Sequence, residues 1–250
     1  MKSRFPTSVE VGVDSWCIQG YLQQEMSDHE DLYAKLKESM PWIDRETESM
    51  KYRGHPLNRT KFFLTRRKSR VHVYNYTGFQ YQSTELYECY QDYPLVKNLV
   101  DLLEKTMPRA FKRINHVIGT YYEGASDNIG WHSDKIKSWR PTHGVAILSL
   151  GGDREFHLKD KSGNVYPFVM RHGDLFLLGW EDNKTYQHCV PTIKDELVLD
   201  PKRVVQPRIS ICFRSIEESY TRDELRKIIA RSEKAKQQRA KKKAARDAAL

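Results

Sequence analysis

The chain has 250 residues, of which 39% are hydrophobic, and this is enough for one large domain with a buried core. No apolar run approaches the roughly 20 residues that cross a bilayer, and the first ten residues contain no signal-peptide segment, so we expect no membrane partner. The net charge of +9 lies mostly in residues 221–250, which contain eleven Lys or Arg and four Asp or Glu.

Two helices are predicted in the first half of the chain. The segment SDHEDLYAKLKESMP (27–41) places Ser27 and Glu30 in the spacing of a capping box and ends at Pro41. The segment YPLVKNLVDLLEKTMP (93–108) has a proline in its first turn and leucines at helical spacing. Both apolar stripes are typical of helices that pack on a core.

Short strands are predicted after Pro108, in the segments INHVIGTYY, GVAILSL, EFHLKD, VYPFVM, DLFLLGW and RISICFR. Turn residues separate them, and this pattern is typical of an antiparallel sandwich or barrel. The segment 221–250 contains helix formers but loses its apolar stripe after Ile229, so we expect a helix that continues as a mobile tail. Such a basic tail either attracts phosphates or is simply a solvated surface.

The four cysteines (Cys17, Cys89, Cys189 and Cys212) form no C-x-x-C pair and indicate reduced thiols in an intracellular protein. The lysine run 241–243 is compatible with nuclear import if the host is a eukaryote. We expect the protein to act as a monomer.

A candidate metal site begins with His132 and Asp134, which lie two residues apart in IGWHSDKIKSWR. On a strand, residues i and i+2 point to the same face. His188, 54 residues after Asp134, completes the order of a facial triad of two histidines and a carboxylate, which suits non-haem iron. The alternative for the pair alone is two polar residues on a solvated strand.

The segment PRISICFR supplies a possible partner for that site. With a period of two, its apolar residues share one face, and the other face carries Arg208, Ser210, Cys212 and Arg214. Arginine binds carboxylates through paired charge-assisted hydrogen bonds, so a strand with two arginines beside a metal suits a dicarboxylate. The alternative is an edge strand with solvated arginines.

Together, YYEGASDNIGWHSD, GVAILSLGGDREFHLKD, VMRHGDLFLLGWEDNKTYQHCVP and PRISICFR resemble the AlkB family of iron(II)- and 2-oxoglutarate-dependent dioxygenases, which demethylate nucleic-acid bases. The resemblance implies an α+β, mainly β fold: a double-stranded β-helix (jelly-roll) core with flanking N-terminal helices and a nucleotide-recognition lid. We expect an extension with one helix (1–48), a dioxygenase domain (49–216) whose lid is about 49–70, and a basic helical or mobile tail (217–250).

The resemblance also implies roles for individual residues. His132, Asp134 and His188 would hold Fe(II), with 2-oxoglutarate and O2 as co-substrates. Arg208, helped by Tyr122, would pair with the far carboxylate of 2-oxoglutarate, and Arg214 would lie near its other end.

Substrate contacts follow from the same resemblance. Tyr76 would stack on a base flipped out of the duplex, Tyr74 would support that pocket, and Arg59 would lie in the substrate-binding region. The expected reaction hydroxylates an alkyl carbon on a base nitrogen, after which the alkyl group leaves as an aldehyde.

The chain departs from the family at both ends of this site. Two co-substrate asparagines are replaced by Thr120 and Ser210, whose hydroxyls still form hydrogen bonds with a shorter reach. The acidic residue that follows the metal-binding Asp in repair enzymes is absent, and Ile136 occupies the substrate-binding region there. Asp127 is a candidate to compensate.

Three functions are therefore open. The first is oxidative dealkylation of N-alkylated bases in DNA or RNA, of either strand type. The second is an oxygenase of the same fold with another target, such as a normal or modified nucleobase, a tRNA or a protein side chain. The third is a non-catalytic nucleic-acid-binding module that uses the basic tail.

Overall fold

The computed structural model describes residues 4–47, 51–52, 55–74, 87–193 and 205–247. Its strands in chain order are β1 (Ser8–Val11), β2 (Ser15–Ile18), β3 (Lys51–Tyr52), β4 (His55–Pro56), β5 (Thr60–Thr65), β6 (Val71–His72), β7 (Glu88–Cys89), β8 (His116–Tyr122), β9 (Ile129–His132), β10 (Val145–Gly151), β11 (Arg154–Lys159), β12 (Val165–Met170), β13 (Leu175–Leu178), β14 (Gln187–Val190), β15 (Arg208–Arg214) and β16 (Ser219–Tyr220). Its α-helices are α1 (Tyr21–Glu25), α2 (Leu32–Ser39), α3 (Pro94–Thr106), α4 (Trp180–Thr185) and α5 (Arg222–Asp247).

Two sheets form the core. The major sheet has the strand order β1-β2-β13-β10-β15-β8-β5-β7, and the minor sheet has the order β12-β11-β14-β9. Apolar side chains from both sheets form one buried cluster, in which the rings of Phe156 (β11) and Phe176 (β13) have centroids 4.9 Å apart. The predicted mainly β fold with a double-stranded β-helix core is confirmed.

The six strands predicted after Pro108 are all present, as β8, β10, β11, β12, β13 and β15. The alternation on β15 is also confirmed. Its apolar residues, Ile209, Ile211 and Phe213, join a second cluster that packs the major sheet against α2 and α3. Its polar face, which begins and ends with arginine, therefore points into the space between the two sheets, where a site can form.

Residues 4–47 contribute to the core itself, which corrects the expected extension (1–48) with one helix. β2 pairs with β13, with Cys17 opposite Phe176, and both α1 and α2 follow. Strands of four residues are too short to show a clear period in the sequence. The predicted capping box is also wrong: α2 begins at Leu32, and among the described residues no side chain caps its N terminus.

The expected lid, 49–70, is divided between a hairpin and a core strand. β3 and β4 pair Lys51 with Pro56, whereas β5 pairs with β8 along its whole length in the major sheet. The basic residues on both sides of β5 hid this strand in the sequence. Tyr76 lies outside the described residues.

The basic segment is helical as far as Asp247, so α5 does not end near Ile229. Ala, Lys, Arg and Glu favour a helix even without an apolar stripe. Among its described side chains, Leu225 alone is buried. Of the helices that the structure describes, none is long and apolar enough to cross a membrane.

Candidate metal centre and co-substrate pocket

The three predicted metal ligands meet at one edge of the minor sheet. His132 ends β9 and is the cross-strand neighbour of His188 on β14. Asp134 follows β9 by two residues, and its Oδ1 lies 3.9 Å from Nε2 of His132. One ligand atom from each residue lies within 4.8 Å of the other two. Two imidazoles and one carboxylate are the ligand set of non-haem Fe(II) sites, so this cluster fits the predicted ion.

Hydrogen bonds orient these ligands. Nδ1 of His132 donates to the carbonyl of Gly130 at 2.8 Å, which leaves Nε2 facing Asp134. A bond of this kind fixes the tautomer and ring orientation of a metal-binding histidine. His188 is buried, and within the described part of the chain its Nδ1 has no hydrogen-bond partner. Burying a polar nitrogen without a partner is unfavourable, and a buried neutral imidazole beside a second histidine and a carboxylate suits a metal ligand.

The protonation states also suit a metal. Burial lowers the pKa of His188 to about 3 and lowers the pKa of His132, so both imidazoles are neutral at pH 7. Burial alone would raise the pKa of Asp134, but the charge of Arg214, together with its hydrogen bond, holds that pKa well below its ordinary value. The cluster therefore offers two neutral nitrogens and one carboxylate oxygen near neutral pH.

Arg214 contacts a metal ligand directly, a role that the sequence did not predict. Its Nε and Nη2 donate to Oδ2 of Asp134 at 3.2 and 2.7 Å, and both side chains are buried. Its guanidinium carbon lies 4.5 Å from the ring centroid of Tyr74. Nη1 has no partner among the described residues, so it remains available to donate to a co-substrate.

Asn183 on α4 is a site residue that the sequence analysis missed. Its Oδ1 accepts from the backbone N–H of Asp134 at 2.9 Å, and its Nδ2 donates to the carbonyl of Asp134 at 2.8 Å. The side chain is 1% exposed. In the sequence, Asn183 lies in EDNK and indicates only a turn. Its contact with Asp134 depends on tertiary structure.

Helix α4 is itself fixed to the turn between β1 and β2. The carboxylate of Asp14 accepts from the backbone N–H groups of Glu181 and Asp182 at 3.0 Å each. In return, the carboxylate of Asp182 accepts from the backbone N–H groups of Val13 and Asp14 at 2.9–3.0 Å. This reciprocal capping holds in place the helix that carries Asn183.

We expect Asn183→Ala to weaken metal binding without unfolding the protein. The substitution removes both hydrogen bonds that position the backbone of Asp134, and changes to groups that orient metal ligands typically cost about 10- to 100-fold in affinity. Titration with Mn(II), followed by electron paramagnetic resonance, measures the effect. Asn164→Ala, in the exposed turn before β12, is the matched control, and equal Mn(II) affinity in both variants would contradict the role of Asn183.

Arg208 lies at the opposite end of β15 from Arg214 and is 1% exposed. Its Nε donates to Oγ of Ser149 at 2.8 Å, and its guanidinium carbon lies 5.4 Å from the ring centroid of Tyr122. Burial lowers its pKa. In the described part of the chain its Nη1 has no partner. A buried guanidinium with an unpaired donor is suited to a carboxylate.

One cavity of about 680 Å³ joins the metal cluster to Arg208. Thr120 on β8 and Ser210 on β15 are cross-strand neighbours, and both line it. Tyr122 lines it as well. The structure thus brings together the predicted metal ligands and all five predicted co-substrate residues around the same space.

The predicted base-contacting residues divide into two groups. Arg59 and Tyr74 line the cavity, with Nη1 of Arg59 donating to the carbonyl of Asn128 at 2.5 Å. Ile136 is not among the described lining residues and instead packs, half-buried, against the apolar cluster between the sheets. Hydrophobic packing thus accounts for an isoleucine at this position.

Asp127 does not compensate for the missing acidic residue. Its Oδ2 accepts from the backbone N–H groups of Glu123 and Gly124 at 2.6 and 3.4 Å and lies 3.3 Å from Nη2 of Arg45. The carboxylate therefore stabilises the loop between β8 and β9, and it is not among the residues that line the cavity.

Comparison with known proteins gives a family match over most of the chain. Residues 14–214 match the model of the 2OG-Fe(II) oxygenase superfamily. The chain is 35% identical over 126 residues to the DNA oxidative demethylase ALKBH2 of Arabidopsis thaliana, a match that covers 41% of this chain and 40% of the relative. It is 26% identical over 133 residues to the alpha-ketoglutarate-dependent dioxygenase alkB homolog 3 of Mus musculus, covering 49% of this chain and 43% of the relative. The matched segments thus span less than half of each relative.

Two solved structures share the fold at low sequence identity. The structure of OsALKBH1 superposes with a TM-score of 0.50 at 16% identity and covers 83% of this chain and 99% of that chain. An oxidoreductase of the 2OG-Fe(II) oxygenase family from Burkholderia pseudomallei gives a TM-score of 0.52 at 15% identity, covering 84% and 89%. At these identities the two structures support the fold alone.

Proposed function

The chain belongs to the 2OG-Fe(II) oxygenase superfamily, and from this premise we propose that it oxidatively dealkylates N-alkylated bases in DNA or RNA. The observation that carries the proposal is the cluster of His132, Asp134 and His188, of which the last two are buried, beside a cavity that ends at Arg208. The similarity to AlkB homologues, one of them named a DNA oxidative demethylase, supports a nucleic-acid substrate.

In this proposal the protein's own residues bind, orient and shield the reactants. Fe(II), when bound with 2-oxoglutarate and O2, supplies the oxidising power for attack on a C–H bond. Arg214 keeps Asp134 ionised and oriented as a ligand, and Arg208 binds the distal carboxylate of 2-oxoglutarate with Tyr122 beside it. The apolar wall of the cavity, which includes Ile118, Ile147 and Phe156, excludes water from the reacting groups.

Substrate binding is supported by the charge of the cavity. Five cationic side chains line it, namely Arg59, Lys61, Lys135, Arg208 and Arg214. Lys135 is exposed and suits contact with the phosphate backbone, which attracts basic residues regardless of sequence. A base carrying an alkyl group on its pairing edge must leave the duplex to reach the cluster, and we propose Tyr76 as the residue that stacks on it.

A second candidate, an oxygenase of the same fold with a different target, is favoured by one observation. Asp134 is the one acidic side chain among the described residues of the cavity lining, and it is already committed to Arg214 and the metal cluster. Recognition of an exocyclic amine needs a hydrogen-bond acceptor. The described lining also contains five lysine or arginine side chains, which when charged only donate hydrogen bonds and therefore suit carbonyl oxygens.

The experiment that tests the function combines purified protein, Fe(II), ascorbate and 2-oxoglutarate with methylated oligonucleotides. We expect loss of methyl, read by mass spectrometry, from at least one substrate among 1-methyladenine, 3-methylcytosine, ethenoadenine and 3-methylthymine, each in single strands, duplexes and RNA. Because the lining is rich in donors, 3-methylthymine should react roughly 10-fold faster than 3-methylcytosine.

His132→Ala is the matched control and should release neither succinate nor aldehyde. Succinate without methyl loss from any oligonucleotide would support the second candidate. No succinate from the unmodified protein under any condition would contradict both.

We further propose an intracellular location, supported by four cysteines that are all free thiols. The lysine run 241–243 would serve nuclear import in a eukaryotic host.

A further inference from the structure

Lys61 is a buried cation that none of the roles above explains. It lies on β5, is 6% exposed and lines the cavity. In the register of the major sheet it is the neighbour of Thr120, which is in turn the neighbour of Ser210. The three side chains therefore form one row across the interior face of β5, β8 and β15. This row contains both positions where hydroxyls replace the family's co-substrate amides.

Lys61 lines the same cavity as the three metal ligands and Arg214. Burial lowers the pKa of Lys61 to about 7, and the charges that then act on it are those of Arg59, Cys212, Arg214 and Asp134. In the register of the major sheet the row of Lys61 is level with Ser210, two residues along β15 from Arg208, so Lys61 and Arg208 contact the cavity at different positions along β15.

Arg214 offers little free charge at the metal end of the cavity. Two nitrogens of Arg214 are bound to Asp134, so the charge of Arg214 is largely balanced by that carboxylate. The hydroxyls of Thr120 and Ser210 carry no charge. A dicarboxylate that enters the cavity therefore meets Arg208 at one end, and at the other end Lys61 adds a charged side-chain donor to the charge that a bound metal would supply.

We propose that Lys61 binds the carboxylate of 2-oxoglutarate that adjoins its keto group. The row of Lys61 lies two residues along β15 from Arg208, or about 7 Å at 3.4 Å per residue, a separation that a five-carbon dicarboxylate bridges. The one long cationic side chain of Lys61 takes the place of the hydrogen bonds that two asparagines would have donated. The inference depends on the co-substrate of the superfamily and not on which substrate is oxidised.

The test measures 2-oxoglutarate binding to protein loaded with Mn(II), in the absence of nucleic acid, by equilibrium dialysis. We expect Lys61→Met to weaken binding about 10- to 100-fold, the effect of losing a charge-assisted hydrogen bond. Lys61→Arg, which keeps the charge, should retain most of the affinity. Lys97→Met removes an exposed lysine on the outer side of α3 and should leave the affinity unchanged.

A second probe identifies the carboxylate. 2-Oxobutyrate keeps the keto group and the adjoining carboxylate but lacks the distal one. Lys61→Met should weaken the binding of 2-oxobutyrate and of 2-oxoglutarate by the same factor. Arg208→Met should weaken the binding of 2-oxoglutarate alone. Unchanged 2-oxoglutarate affinity in Lys61→Met would overturn the proposal. So would a variant that binds 2-oxoglutarate more weakly but binds 2-oxobutyrate with unchanged affinity.

The melting temperature of each ligand-free variant shows whether it is folded. Replacing a buried ammonium by an apolar side chain of similar length removes a desolvation cost, so Lys61→Met should fold. If it does not, Lys61→Gln provides the same comparison with a neutral polar side chain. Because no nucleic acid is present, failure of the dealkylase proposal leaves these results unaffected.

Discussion

Asp134→Ala is expected to abolish 2-oxoglutarate turnover and, unlike His132→Ala, to destabilise the metal-free protein. The activity is lost because the only carboxylate of the metal cluster is gone. The stability is lost because Arg214, 6% exposed, then holds a buried charge without its counter-ion. Breaking one side of a buried ion pair typically costs about 3–5 kcal/mol.

Three variants separate these two effects. His132→Ala should lose succinate production but little stability, because its imidazole is neutral and its side chain is one-third exposed. The double variant Asp134→Ala/Arg214→Met should recover the stability without the activity, because no unpaired charge remains buried. Urea denaturation gives the free energy of unfolding, and succinate release gives the activity. A single Asp134→Ala variant as stable as the unmodified protein would contradict the coupling of Asp134 to Arg214.

Arg208→Met is expected to show the opposite combination, with co-substrate binding lost and the stability of the ligand-free protein kept or increased. The guanidinium is 1% exposed, it is hydrogen-bonded to the neutral Ser149, and no ion pair joins it to a carboxylate within the described residues. Its depressed pKa reflects the burial of an uncompensated charge. Replacing such a charge by an apolar side chain removes that cost.

The binding loss follows from the same geometry. A paired carboxylate is the group that would offset the burial of Arg208, and losing a charge-assisted pair costs on the order of 100-fold in affinity. Calorimetric titration of 2-oxoglutarate measures the loss, and thermal denaturation without ligand measures the stability. Arg171→Met removes an exposed arginine before β13 and is the control. Retained 2-oxoglutarate affinity in Arg208→Met would rule out Arg208 as the carboxylate partner.

The sequence predicted the features that depend on local periodicity and on motif order. The alternation in RISICFR placed two arginines on one face of β15, and the structure has them there. The order His132, Asp134, His188 predicted a cluster because a strand fixes i and i+2 on one face, and the structure brings all three together.

Features that depend on contacts between distant segments were not predictable in this way. In the sequence Asn183 indicates only a turn, and the position of α4 in the fold is what brings its amide to Asp134. Lys61 lies in a segment whose basic composition suggested a lid, and only the pairing of β5 with β8 places it inside the cavity. Ile136 occupies the position expected of a substrate contact, yet the 3-10 turn at Ile136–Ser138 lets it pack against the apolar cluster.

The position of β15 in the major sheet has a consequence for how the protein is made. β15 lies between β10 and β8, and a ribosome completes both of these strands before it reaches Arg208. Until β15 emerges, β8 and β10 each have an edge of unpaired backbone groups, which in a growing chain invites wrong pairing. Insertion of β15 pairs the free backbone groups of both edges and places Arg208 and Arg214 in the cavity at the same time. The nascent chain therefore gains its central hydrogen bonds and its two buried guanidinium groups in a single late step of synthesis.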